Sequence, residues 1–331
     1  MPKIRFSQLC TFGLLSAILL LQNTVSLNDV KAYLGLPSPS LTRLNAIPAI
    51  PVRTISWQAI LSAADTNTTL TSLDESSLVP TTTAKSIYVE DLTSETMLLA
   101  IDAEQPRPPA STQKLMTALI ALESFSPQTV LTVQKSDILL SNSLSFTPGE
   151  QFTVEDLLKC LLISSSNEAA EVLAREYPGG YEAFIRRMNQ KANEIGLLHT
   201  HFINPTGYDA VNQFMSVKDL HHLASEAMKS SLLAAIVKEP LLIITDISGA
   251  KQHTLQTTNQ LLRENIGAVG IKTGTTALAN EVLVSQFVID GHVLRVVLMG
   301  STQRYEDTRS ILDWVSKTYT WIKPVDLFKT L

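Results

Sequence analysis

Cysteine is nearly absent, with two in 331 residues. Cys10 falls in the N-terminal segment, and Cys160 stands alone in an apolar helical stretch. No disulfide framework is implied, and Cys160 reads as a small packed hydrophobe. Charge is sparse as well: charged residues make up 17% of the chain and the formal net charge is -5. There is no basic block and no acidic tail, which argues against a nucleic-acid partner. Past the N-terminus no apolar run reaches the roughly 20 residues a spanning helix needs. No internal repeat is found. What is present, 45% hydrophobic residues, is ordinary globular composition, enough for one large domain or two smaller ones.

The first 26 residues stand apart. Lys3 and Arg5 precede a mostly apolar run from Phe12 to Leu21, and the small residues Thr24 and Ser26 follow. This is the pattern of an export signal, cleaved after Ser26 or kept as an N-terminal anchor. Cys10 precedes the apolar run and is badly placed for lipid attachment. Residues 27–84 are rich in Pro, then in Ser and Thr, and read as an arm or linker. A short element such as Ser56–Ala63 is expected to dock from it.

Order is expected over residues 85–322, followed by a short tail, 323–331. "KSIYVEDLTSETMLLAID" places two apolar stretches around a polar turn, a hairpin signal. A helix opens near Ser111. Two more come in the stretch after Thr153, which with Asp156 resembles a capping box. Phe184, Met188, Ala192 and Ile195 recur on one helical face. Ser216 caps the helix after it. Val282–Ile289 and Val293–Met299 are strand-like and meet across Asp290-Gly291, a strong turn pair. A closing helix turns Ile311, Leu312 and Val315 inward. Strands early and late with helices between them predict an α/β fold of the α+β type. Its antiparallel sheet is built from both ends of the domain, flanked by helices, with an inserted helical subdomain. A crevice between sheet and helices is the natural site.

Three polar clusters break this pattern. Ser111 and Lys114 lie three residues apart, so on a helix they share a face. A neutral lysine amine there can take the serine proton and make a nucleophile, and the free N–H groups of a helix start suit an oxyanion. The plain alternative is a cap followed by a solvated lysine. Ser248 and Lys251 have the same spacing, but with Gly249 inside and no apolar helix after them they read as a turn. Ser165, Ser166 and Asn167 end one apolar run and begin another. They read either as a helix cap or as a hydroxyl and an amide held at the crevice edge. Lys272, Thr273, Gly274 and Thr275 lie on an expected edge strand, where glycine permits close backbone approach. They read as carboxylate-binding groups or as a solvated edge lysine that blunts aggregation.

In this order, S-x-x-K, S-x-N and K-T-G are the three signatures of penicillin-binding proteins and class A β-lactamases. The sequence resembles the serine D-alanyl-D-alanine carboxypeptidases, low-molecular-mass penicillin-binding proteins of the β-lactamase/transpeptidase-like group. The likeness runs from about Ser86 to Trp321, through "RPPASTQKLMTALIALE", "PGEQFTVEDLLKCLLISSSNEAAEVLA", "FIRRMNQKANEIGLLHTHFINPTGYD" and "TNQLLRENIGAVGIKTGTT". One departure is "ALANEVLV" after the third motif, where members often carry Gly and Cys. A C-terminal β-rich domain and amphipathic tail, common in the family, are not expected, so any membrane attachment falls to the N-terminus.

The resemblance implies an extracytoplasmic enzyme of cell-wall maturation that removes the terminal D-alanine from peptidoglycan stem peptides, with β-lactams as covalent inhibitors and no metal or cofactor. Ser111, Lys114 and Ser165 would be catalytic, and Asn167, Lys272, Thr273, Gly274 and Thr275 would bind substrate. An endopeptidase of the same family, cutting crosslinks, carries the same motifs. A β-lactamase needs a glutamate for deacylation, usually in E-x-x-L-N; the nearest segment, Glu194 to Leu198, lacks the Asn. A wall-binding module with a degenerate site would have lost polar groups that are all present here. His199, His201, His221 and His222 lack the further ligands of a zinc site.

Overall fold

In the computed structural model the described residues are 48–53, 79–138, 144–264 and 266–322. The expected export segment, the element at Ser56–Ala63 and the tail lie outside them. A short strand, β1 (Ile50–Arg53), falls in the stretch expected as an arm. Thr83 also belongs to that stretch, yet its N–H and hydroxyl both donate to Asp307, at 2.9 and 2.8 Å. The five-stranded sheet and its helices lie within residues 51–320, one of two units into which the chain divides.

The predicted hairpin is present as β2 (Ser86–Asp91) and β3 (Thr96–Ile101), paired antiparallel. The late strands are β8 (Ala268–Thr276), β9 (Asn280–Ile289) and β10 (His292–Ser301). Together they form one five-stranded antiparallel sheet, in the order β3-β2-β10-β9-β8. The sheet is therefore built from both ends of the domain, and β8, which carries the third cluster, is an edge. Strand β10 is buried almost throughout, as a strand covered on both faces must be.

Between β3 and β8 the chain is mainly helical, with a short antiparallel pair, β4 (Val130–Thr132) and β5 (Gln151–Thr153), after the first helix. The segments are α1 (Lys114–Ser124), α2 (Val154–Leu162), α3 (Asn167–Arg175), α4 (Tyr181–Glu194), α5 (Val217–Met228) and α6 (Ser231–Ile236). Helix α1 is the shaft of this layer and packs against α2, α3, α4 and α5. Its Leu115, Met116 and Ile120 are wholly buried, each worth about 1.5–3 kcal/mol against exposure. Thr153, Ser166 and Ser216 each accept the N–H three residues on, at 3.1 Å, which fixes three helix starts at about 1 kcal/mol apiece. Helix α7 (Arg304–Thr318) closes the domain against β9 and β10. Ile311 and Val315 are buried there, whereas Leu312 is only half-buried; on α4, Ile195 likewise falls at the half-exposed helix end.

The remaining expectations sort by local chemistry. Cys160 is buried and free. Ser248 and Lys251 form the turn between β6 (Leu241–Thr245) and β7 (Gln252–Gln256), held by Asp246, which accepts the N–H groups of both at 3.3 and 2.9 Å. Among the described residues no helix is long and apolar enough to cross a membrane.

Candidate active site

The helix expected at Ser111 starts later. Ala110–Gln113 form a 3-10 turn, and the α-helix begins at Lys114. Pro109 precedes this turn, and its carbonyl accepts the Thr112 hydroxyl at 2.5 Å. Ala110 sits at φ 50°, a left-handed conformation unfavourable for any residue with a Cβ. Ser165 adopts the same region at φ 62°. Strain of this kind persists where surrounding contacts over-determine it, and here both strained residues flank the same set of polar groups.

Lys114 is the centre of that set. It is 0% exposed, which disposes of the solvated-lysine reading. Its Nζ donates to Ser111 Oγ at 2.9 Å and to Asn167 Oδ1 at 2.7 Å, and also contacts the Thr206 carbonyl. Three acceptors match the three protons of an ammonium; a neutral amine would turn its lone pair to the one partner able to donate, the Ser111 hydroxyl. Burial, and next the charge of Lys272, push Lys114 well below the usual lysine range, while Glu168 and Glu171 push back. A neutral amine beside a serine hydroxyl is the composition of a base and its nucleophile.

The second and third clusters meet across from it. Lys272 is 1% exposed, so it is no edge decoration. Its Nζ donates to Ser165 Oγ and to the Thr273 carbonyl, both at 2.9 Å. Burial, then the nearby Arg304 charge, push it down to about 7. Its effect on Lys114 is therefore strongest below that pH. Gly274 lets β8 close on the nucleophile turn, since a Cβ there would lie 2.7 Å from the Ser111 nitrogen. The cap between α2 and α3 belongs to Ser166, which leaves the Ser165 hydroxyl to Lys272.

The Thr273 hydroxyl donates to Thr258 Oγ1 at 2.7 Å, which ties β8 to the segment before it. Thr275 is exposed, and its hydroxyl oxygen accepts from Arg304 Nη2, which leaves the hydroxyl proton free.

Several contributors lacked a motif of their own. The segment Asn204 to Asp209 touches groups of the first two clusters and the end of β8 just past the third. Its Thr206 carbonyl takes Lys114, and Tyr208 OH accepts from Asn167 Nδ2 at 2.9 Å. Asp209 accepts the Thr276 hydroxyl at 2.6 Å and the Leu278 N–H at 3.0 Å. The signal available was the Asn-Pro-Thr-Gly sequence itself. Gly207 holds φ 91°, and a Cβ there would stand 2.1 Å from the Ala110 carbonyl oxygen. Gly207→Ala is thus expected to cost about 1–3 kcal/mol of stability, read by urea denaturation, and to displace the turn bearing Ser111. An unchanged midpoint would mean the loop can step back.

The competing sites do not assemble in the same way. Glu194 lies exposed at the end of α4 and pairs with Arg187 at 2.6 Å. Among the described residues no group of three or more metal-ligating side chains is placed to hold an ion.

The chain is similar to several known proteins. A family model described as D-alanyl-D-alanine carboxypeptidase matches residues 73–303. A D-alanyl-D-alanine carboxypeptidase of Mycobacterium tuberculosis is 29% identical over 245 residues, covering 71% of this chain and 83% of its own. A D-alanyl-D-alanine endopeptidase of Escherichia coli is 29% identical over 256 residues, with coverage of 74% and 78%. The crystal structure of the Streptomyces K15 DD-transpeptidase superposes with a TM-score of 0.67 at 28% identity, covering 72% of this chain and 98% of that one.

Proposed function

Because the chain belongs to the D-alanyl-D-alanine carboxypeptidase family and is a serine peptidase, we propose that Ser111 attacks the peptide bond between the two terminal D-alanines of a peptidoglycan stem peptide. The observation that carries this reading is the buried Lys114, in contact with Ser111 and Asn167 while Lys272 holds Ser165 beside them.

Lys114 takes the Ser111 proton as the oxygen bonds to the carbonyl carbon. Backbone N–H groups of Ser111 and Thr275 receive the oxyanion, each worth about 3 kcal/mol. The C–N bond then breaks, and the leaving amine takes, by way of Ser165, the proton that Lys114 removed from Ser111. Asn167 orients the acyl side of the substrate. Lys272, Thr273 and Thr275 hold the terminal carboxylate, with Gly274 giving the strand its close approach. Lys114, neutral again once D-alanine has left, activates the water that frees Ser111. β-Lactams enter the same path and stall at the acyl-enzyme.

Substrate of this kind lies outside the cytoplasm. Export through residues 1–26, with membrane attachment where that segment is retained, and a catalytic domain spanning 85–322 belong to the same proposal. The endopeptidase reading is kept because a relative of that name matches as well as the carboxypeptidase does.

Mass spectrometry of products from a defined pentapeptide and a crosslinked dimer separates the two. Loss of one D-alanine from the pentapeptide with the dimer intact is the expected result. Cleavage of the dimer alone would replace the carboxypeptidase by the endopeptidase, and turnover of neither would overturn both.

A further inference from the structure

Tyr208 is 37% exposed and touches a site residue without sharing in the chemistry. Its backbone is anchored. The Tyr208 carbonyl accepts from Gln213 Nε2 at 2.6 Å and from Asn204 Nδ2 at 3.0 Å, and its N–H donates to Thr206 Oγ1 at 3.3 Å. The neighbours on either side are held as well. The Gly207 N–H donates to Asn204 Oδ1 at 2.8 Å, and Asp209 accepts from Thr276 and Leu278. The ring therefore projects from a fixed piece of chain, and its hydroxyl oxygen accepts from Asn167 Nδ2 at 2.9 Å.

Asn167 is thereby gripped at both ends of its amide. Oδ1 accepts from Lys114 Nζ at 2.7 Å, and Nδ2 donates to Tyr208. An amide nitrogen carries two N–H donors. The second N–H of Asn167 has no hydrogen-bond partner among the described residues, and it is the one left for substrate. Its direction depends on rotation about the Cβ–Cγ bond, a broad torsion without three staggered wells to fix it. The bond at Oδ1 leaves that rotation loose, since a carbonyl oxygen accepts over a wide range of directions. A second bond at the opposite end of the planar group defines the plane.

We infer that Tyr208 is a positioning residue for substrate: its hydroxyl fixes the plane of the Asn167 amide, so that the remaining N–H is aimed at the acyl side of the peptide before the peptide arrives. This rests on the role proposed for Asn167. A donor aimed in advance has less freedom to lose on binding, so the benefit falls on substrate capture. Proton transfer is untouched, because Lys114 keeps Ser111, Asn167 Oδ1 and the Thr206 carbonyl with or without the Tyr208 hydroxyl.

The test is a double-mutant cycle in the full chain: Tyr208→Phe, Asn167→Ala and the pair. It is read by the rate of acylation with a fluorescent penicillin and by KM and kcat for D-alanine release from a pentapeptide. Phe keeps the ring, and the bonds that anchor the loop do not involve the hydroxyl. Tyr208→Phe should acylate about fivefold more slowly than wild type, the scale of one hydrogen bond. Its KM should rise by a similar factor, with kcat held within about twofold. In the Asn167→Ala background the same substitution should change acylation by less than about twofold. A merely structural role would cost as much in both backgrounds, and that result overturns the inference. So does a loss carried by kcat alone, or acylation by Tyr208→Phe as fast as wild type or faster. Asn167→Ala acylating like wild type overturns the reading of Asn167 and this inference together, whereas a slowed Asn167→Ala beside an unaffected Tyr208→Phe overturns this one alone.

Discussion

Ser111→Ala forms no covalent adduct with a fluorescent penicillin and releases D-alanine at least about 10⁴-fold more slowly than wild type, the scale on which a nucleophile acts together with its base. The expectation follows from what the hydroxyl touches. Its hydrogen bond is with Lys114 Nζ, so removing it deletes the reacting atom and leaves the surrounding supports in place. Lys114 keeps Asn167 Oδ1 and the Thr206 carbonyl. Met116 and Leu115 keep the shaft of α1 buried. The fold should therefore survive, with a thermal midpoint near that of wild type. Intact-mass measurement after incubation with penicillin decides the matter: stoichiometric labelling of the variant means that another residue is the nucleophile.

Much of this site was legible in the sequence because its residues come in short local spacings. Ser111 and Lys114 are three apart, and one turn of chain suffices to bring them together. Thr153 and Ser216 cap where local patterning places them, and the hairpins form on their own turn signals. What was not legible depends on closure over long separations. No local pattern says that Thr206, some ninety positions beyond Lys114, supplies a carbonyl to it. None says that Arg304 reaches back to Thr275. Nor does any local pattern say that the Thr273 hydroxyl meets Thr258, on a different segment. Likewise the solvated-lysine alternative stays open in the sequence because sequence reports residue type, whereas burial is a property of the packed sheet and helices. The conformations of Ala110 and Ser165 are also products of packing, since neither residue favours a positive φ by itself.

Lys114→Met separates the two consequences of burying that lysine. The first is chemical. With Ser111 present but without its base, acylation by penicillin near neutral pH should fall by about 10³-fold, within the range of a lost general base. Near-normal acylation would show that some other group takes the proton. The second consequence is thermodynamic. Lys114 is held well below the lysine range in the fold, first by burial and then by Lys272. In the unfolded chain it recovers an ordinary lysine value of about 10.4. Between those two values the unfolded state binds more protons than the native one, so stability rises with pH across the window. The contribution is at most about 1.4 kcal/mol per pH unit for one such group. Lys272 adds a second window beginning at about 7. Removing Lys114 should therefore lower the slope of unfolding free energy against pH between 8 and 10 by up to about 1.4 kcal/mol per pH unit, and leave the part due to Lys272. Other groups titrate in both proteins and cancel in the difference. Urea unfolding at a series of pH values measures that difference directly. Parallel curves would mean that Lys114 is protonated alike in both states, and a lysine that keeps its proton in the fold cannot be the base that takes one from Ser111.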